Sequence, residues 1–314
     1  MPVRSVCVLG GSGFVGTELV CRLANLDYDV TVLTRNKMHT HHLSVLPNVK
    51  RVEADVHDSA ALTAQLRGTD AVINLIGILN ESRSAQQRFD AAHHDLAHTL
   101  ASVCKANGVE RLLQMSALNA DEDGSSEYLR SKGRAETALR AAAGDDLRVS
   151  FFQPSVIFGP NDSFFNRFAG LLKMMPVFPL ACPNARFAPV YVGDVVNVFC
   201  ADLDVDDDNT PTYPLCGPNE YSLHELVRYT AETLGLTRAI IDLPDIAARA
   251  QALVMGLLPG KPFSYDNYLS LQTDSVCTEN CEAQPTAIEH IVPDYLFDSP
   301  KQSTLQRMRE QARR

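Results

Sequence analysis

The sequence predicts a doubly wound parallel α/β fold, and three observations carry that prediction. Short apolar runs alternate with helix-spaced segments through the first half, the runs are nearly all apolar rather than alternating, and a glycine cluster parts the first run from the first helical segment. Strands that are apolar on both faces and separated by helices belong in a parallel sheet covered on both sides.

The predicted strands are "SVCVLG" (5–10), "DVTVLT" (29–34), "VKRVEAD" (49–55), "AVINLIG" (71–77), "VERLLQMS" (109–116) and "LRVSFFQPS" (147–155). Each is short and rich in β-branched or large apolar residues. The clearest helix between them covers 85–108 and ends at Asn107-Gly108, a natural stop because glycine takes the left-handed conformation that closes a helix. After about residue 160 proline and aromatic residues increase, as in "FPLACPNARFAPVYVGD" (178–194), and helix-like patterns follow at 193–204, 222–235, 245–258 and 302–312. This divides the chain into a nucleotide-binding domain over 1–160, completed by parts of 187–217, and a smaller, mostly helical lobe over 161–314. The acidic stretch 202–210 reads as a solvated loop, and no internal repeat is visible.

With 314 residues, 45% of them hydrophobic, the chain can bury a substantial core. Its 38 acidic and 28 basic residues leave a net charge of -10, with no basic run outside a short C-terminal tail, so nucleic acid is not an expected partner. The eight cysteines, at 7, 21, 104, 182, 200, 216, 277 and 281, lie mostly in apolar segments and read as buried reduced thiols. Cys277 and Cys281 are the one close pair, His290 is alone nearby, and no metal site is expected. The chain enters a strand at once, which leaves no room for a signal peptide, and no apolar run approaches a bilayer span. A cytoplasmic location is expected, with a peripheral place at the inner membrane face left open.

Gly10, Gly13 and Gly16 give G-x-x-G-x-x-G between the first strand and the first helix. There the first glycine makes a tight turn, the second lets a pyrophosphate approach the backbone, and the third lets helix pack on strand. The free amides and partial positive charge of the helix start complete a phosphate site, drawing in Ser12, Phe14 and Val15. These features predict a Rossmann dinucleotide-binding domain. Arg35, nineteen residues after Gly16, stands with Asn36 where an acidic residue would hold the adenosine ribose. A guanidinium there suits a 2′-phosphate, so NADP(H) is expected over NAD(H). Asp55 and Val56 after the third strand would flank the adenine, and Asn74 to Gly77 after the fourth would let the backbone pass the sugars and phosphates. Turn chemistry alone is the competing reading for these positions.

In "YLRSK", Tyr128 and Lys132 lie four residues apart on one helix face, and Ser116 ends the preceding strand. In this reading Ser116 holds the substrate oxygen, Tyr128 passes the proton, and Lys132 anchors the nicotinamide ribose and favours the phenolate.

At these residues the chain resembles the extended and atypical branches of the short-chain dehydrogenase/reductase superfamily. "GGSGFVG", Ser116, "YLRSK", "QPSVIFGPND" and "PVYVGDV" follow the superfamily's order, with Pro154 and Gly159 matching its post-strand cofactor and substrate loop and Val156 between them a further expected cofactor contact. More narrowly, "MSALNAD", "PSVIFGPNDSFFNRFA", "LLPGKPFSYDN" and "VPDYL" resemble bacterial relatives of the NADPH-binding accessory subunit of mitochondrial complex I. The resemblance implies NADP(H) binding. Two positions depart from it: the helix asparagine of many extended members is replaced within "AAHHDLAHT", and Gln153 stands where an arginine is usual. His93, His94 and His98 in that helix read as packed on the sheet rather than as catalytic bases.

Three functions compete: an NADPH-dependent reductase of a carbonyl or hydroxyl substrate, a non-catalytic NADPH-binding scaffold of a respiratory or membrane-associated complex, and a nucleotide-sugar epimerase or dehydratase with bound NAD. The apolar helix "DIAARAQALVMGLLPG" (245–260) is expected to pack against the main domain; exposure of Leu253, Val254, Leu257 and Leu258 would favour a lipid- or quinone-like substrate and a peripheral membrane contact.

Overall fold

The computed structural model describes residues 3–81, 88–207, 209–257, 263–277 and 281–296. Seven parallel strands form its central sheet: β1 (Ser5–Leu9), β2 (Asp29–Thr34), β3 (Val49–Glu53), β4 (Ala71–Asn74), β5 (Arg111–Met115), β6 (Arg148–Pro154) and β11 (Thr212–Leu215). Their spatial order is β11-β6-β5-β4-β1-β2-β3. The chain runs outward from β1 to β3, then returns to lay β4 on the other side of β1. That reversal opens a crevice at the carboxyl ends of β1 and β4, where open α/β sheets take their ligands.

Alternation along β1 explains the two-layered core. Val6 and Val8 point into one face with Leu19, Val20 and Leu23 of α1 (Phe14–Asn25) and Phe199 of α6 (Val192–Leu203). Cys7 and Leu9 point into the other, with Leu62 of α2 (Ser59–Gln65), Leu96 and Leu100 of α3 (Leu96–Asn107) and Leu139 of α4 (Glu127–Ala142). Because successive residues face opposite sides, a strand buried on both must be apolar throughout. Gly108 closes α3 with φ 68, as the Asn107-Gly108 signal predicts. The first turns of that helical run are a short π-helix, Ala91–Asp95.

Beyond β6, paired strands β7 (Ile157–Phe158) and β10 (Val190–Tyr191), β8 (Val177–Leu180) and β13 (Ala239–Asp242), and β9 (Arg186–Phe187) and β12 (Tyr221–Ser222) alternate with helices. Of these, α5 (Phe165–Met174), α7 (Leu223–Thr233) and α10 (Ile288–Leu296) share a core of Phe158, Phe165, Leu226, Ile288 and Val292. The expected helix at 302–312 lies outside the described residues.

Two expectations are corrected here. Helix α8 (Asp245–Gly256) buries only Ala248 and Ala252, against Tyr268 of α9 (Tyr265–Ser270), while Leu253, Val254 and Leu257 are exposed. Its large residues occupy the face away from the packed alanines, so it does not seal onto the main domain as expected; Leu258 lies outside the described residues. Cys277 and Cys281 are disulfide-bonded rather than thiols, because the fold holds their Cα atoms 5.7 Å apart. No described helix is long and apolar enough to cross a membrane.

Candidate functional site

The glycine turn forms the first wall of the crevice. Gly10 has φ 80, a conformation that L side chains rarely adopt, and its carbonyl accepts the Gly13 amide at 3.0 Å. A Cβ at Gly16 would overlap the Gly10 carbonyl oxygen and lie 2.6 Å from Gly11 Cα, so only glycine lets α1 sit this close to the turn. At Gly13, by contrast, the sole neighbour of an added Cβ is that same carbonyl, 3.3 Å away. Gly13 caps α1 without any side-chain hydrogen bond, leaving the first amides, from Phe14 and Val15 onward, to an anion. Ser12 lies in this loop, between β1 and α1. A Cβ at Gly11 would lie 2.8 Å from Val32 Cγ1 of β2, so this glycine answers to core packing.

Arg35 directly follows β2 and is exposed, with no ion pair among the described residues. Asn36 shapes the backbone that follows it, since its side chain accepts the Met38 amide at 2.8 Å and caps the 3-10 helix Lys37–Val45. Asp55 is likewise engaged locally, accepting the His57 amide at 3.0 Å, and Val56 is buried in the core. Asn74 is fully buried between Gln114 Oε1 (2.9 Å) and the Ile76 amide (3.1 Å), so it shapes the loop after β4 from within. Pro154 ends β6 in a buried position, and the half-buried Val156 accepts the Val190 amide at 3.0 Å.

Across the crevice the structure brings Ser116, Tyr128 and Lys132 to one edge of the sheet. Ser126 caps α4 through the Leu129 amide, and the Glu127 and Tyr128 amides bind the Asp266 carboxylate, which fixes the start of the helix. One turn later the buried Lys132 donates to the carbonyl of Met115, the residue before Ser116, at 3.0 Å. Gly77 lies over this ammonium: a Cβ there would be 3.3 Å from Lys132 Nζ and 3.7 Å from His93 Nε2. Ser116 is buried, and its Oγ has no hydrogen-bond partner among the described residues. A buried hydroxyl left unsatisfied is costly.

His93, read from the sequence as packed on the sheet, is buried at this site. Its ring packs in a triangle with Tyr128, met edge-on at 5.7 Å, and Phe89, stacked at 5.9 Å. Its Nε2 accepts the Ile78 amide (3.1 Å), which puts the proton on Nδ1, facing Ser131 Oγ at 2.8 Å; Ser131 in turn donates to the Tyr128 carbonyl. Burial, and secondarily the Lys132 charge, push its pKa down to about 2. A neutral ring with both nitrogens occupied positions Tyr128 and the Gly77 loop; it is not a base. His94 pairs with Asp95, and His98 is exposed.

In the chain without a bound nucleotide, burial raises the Tyr128 phenol to about 12. Lys132 is lowered to about 8 by burial, with Glu136 acting in the opposite direction, so its ammonium persists at neutral pH. The chain by itself therefore keeps Tyr128 protonated at neutral pH.

Residues 10–157 match the family model described as NAD(P)H-binding. This part of the chain is an NAD(P)H-binding domain. It lies in a Rossmann-like, doubly wound α/β fold that is also found in epimerases and dehydratases. A UDP-glucuronic acid 4-epimerase from Bacillus cereus, in complex with UDP-glucuronic acid and NAD, superposes with a TM-score of 0.70 at 15% identity over 93% of this chain and 99% of its own. A dTDP-glucose 4,6-dehydratase from Streptomyces venezuelae with NAD and TYD bound does so with a TM-score of 0.67 at 21% identity, over 77% and 85%. Among curated relatives, a mitochondrial NADH dehydrogenase [ubiquinone] 1 alpha subcomplex subunit 9 from Arabidopsis thaliana is 29% identical, covering 87% of this chain and 71% of its own. A ceramide reductase from Caulobacter vibrioides is 28% identical over 76% and 74%.

Proposed function

We propose that the protein is an NADPH-dependent reductase of a carbonyl substrate carrying a long apolar portion, with Ser116, Tyr128 and Lys132 as its working side chains. The observation that carries the proposal is the buried, unpartnered Ser116 Oγ beside Lys132. Bound NADPH supplies the hydride. Ser116 orients the substrate oxygen by donating to it, and Tyr128 delivers the proton that turns the developing alkoxide into an alcohol. A phenol raised to about 12 is suited to giving up a proton only to such a strongly basic oxygen. Lys132 positions the cofactor's ribose with its ammonium, and Gly77 leaves room for that contact. The free Arg35 guanidinium and the lack of a carboxylate at the end of β2 favour NADPH over NADH. The apolar substrate class is supported by the exposed large side chains of α8 and by the relative named as a ceramide reductase.

The test is NADPH oxidation against a panel of long-chain and short-chain ketones, with Ser116→Ala as control. Consumption that favours long chains and falls in the variant is expected. NADPH bound tightly but consumed with no ketone would reject the reductase in favour of a second reading. That reading, an NADPH-stabilised accessory subunit of a membrane-associated complex, is favoured by relatives named as complex I subunits that align over 87–90% of the chain. Under it, Tyr128→Phe leaves the cellular phenotype unaltered.

A further inference from the structure

Cys216, Cys277 and Cys281 are 61 and 4 residues apart in sequence, yet their three sulfur atoms lie within 4.8 Å of one another. Cys216 is buried immediately after the last residue of β11, whose Leu215 pairs with Pro154 of β6. The segment bearing the other two sulfurs is fastened along this edge on both sides. Ser155 Oγ donates to the Ser275 carbonyl at 2.6 Å, and the Gln284 amide donates to the Cys216 carbonyl at 2.7 Å. Cys281 Sγ faces the Pro214 carbonyl at 3.4 Å.

A disulfide between Cys277 and Cys281 uses two of these sulfurs and leaves the third with no part to play. Its loop is among the shortest a disulfide closes, where chain-entropy stabilisation is least. Cys216 is out of reach of solvent thiols, which disfavours a relay by disulfide exchange. Three convergent sulfurs drawn from two distant segments match what a thiophilic d10 cation requires. We propose that, once reduced, Cys216, Cys277 and Cys281 bind a zinc ion that clasps residues 275–277 and 281–284 to the carboxyl edge of the sheet.

A dithiol reductant supplies two electrons and two protons to open the disulfide, giving two thiols and itself ending as a disulfide. Zinc then forms three Zn–S bonds and releases the three thiol protons to solvent. No fourth His, Cys or carboxylate joins the cluster among the described residues, so water completes the tetrahedron. Seating the ion requires the two disulfide sulfurs to part to about 3.8 Å, the spacing that tetrahedral Zn–S bonds of about 2.3 Å set, while the third sulfur already lies within 4.8 Å of the pair. The clasp would secure the loop at Pro154–Val156 through Ser155, coupling the distal segment to the expected nicotinamide end of the crevice.

The test uses the full chain reduced with a phosphine, with thiols counted to verify reduction, and titrated with zinc against a chelating dye and with cobalt(II) as a spectroscopic probe. About one zinc per chain and a sulfur-to-cobalt charge-transfer band are expected. Cys216→Ser and, separately, Cys281→Ala should weaken zinc binding at least about tenfold and abolish the band, while Cys182→Ser, outside the cluster, keeps both. NADPH-induced thermal stabilisation reports that each variant is folded. A fully reduced, folded chain that binds no zinc, or a folded Cys216→Ser variant that binds it as tightly as the parent, overturns the proposal.

Discussion

The turn at the start of α1 and the edge formed by β5 and α4 line the same crevice, but they present polar groups in opposite ways. At the turn the ligand-facing groups are main-chain amides, exposed because no side chain caps the helix and because Gly10 and Gly16 bring α1 close. At the edge they are side chains withdrawn from water, Ser116 and Lys132, with Tyr128 held against a buried neutral His93. A backbone site is built by local geometry and tolerates change poorly only where a Cβ must be absent. A side-chain site depends on desolvation and on partners far away in sequence, so its chemistry is more easily lost with the fold intact.

Tyr128→Phe sharpens this contrast most. Removing the proton donor should lower turnover by roughly 10²- to 10⁴-fold while NADPH affinity is unchanged, as measured by steady-state kinetics beside calorimetric titration. An equal loss in binding would mean that the two walls are not separable. Next comes Arg35→Ala on the backbone-built side: loss of a charge-assisted contact with a 2′-phosphate should cost about 1.5–3 kcal/mol, a ten- to hundredfold weaker NADPH Kd, with NADH affinity unaffected. Gly16→Ala should destabilise the fold by about 1–3 kcal/mol in denaturant unfolding, since the added methyl meets backbone that cannot give way.

The smallest effect is on pH dependence. His93 has its pKa lowered from 6.5 to about 2, so between those values the unfolded chain binds a proton that the folded chain refuses. Its contribution is therefore full above pH 6.5 and lost as pH falls through that window. His93→Gln should show a shallower acid decline in stability between pH 7 and 4.5 than the parent; equal slopes would show that the ring titrates freely.

The parallel sheet and the glycine turn were legible because both follow from short-range pattern: apolar runs fix doubly buried strands, and glycine spacing fixes the approach of α1. Ser116, Tyr128 and Lys132 were legible as an ordered set of residue types, but their protonation was not. The direction of the Tyr128 shift comes from burial that only the assembled fold creates. The packing of His93 was legible from its helix, but its partners were not, because the Ile78 amide and Ser131 hydroxyl that occupy its two nitrogens are distant in sequence. The third member of the cysteine cluster was hidden for the same reason, since Cys216 meets the Cys277–Cys281 pair only once β11 has joined the sheet. In α8 the periodicity was readable but not the side chosen for burial, because two alanines rather than the leucines pack inward.

The most direct test of the account is calorimetric titration of the intact chain with NADPH and, separately, NADH. One nucleotide bound per chain, with NADPH the tighter of the two, is the predicted result. A chain that remains folded and binds neither would contradict the reading of the turn before α1 as a dinucleotide cradle.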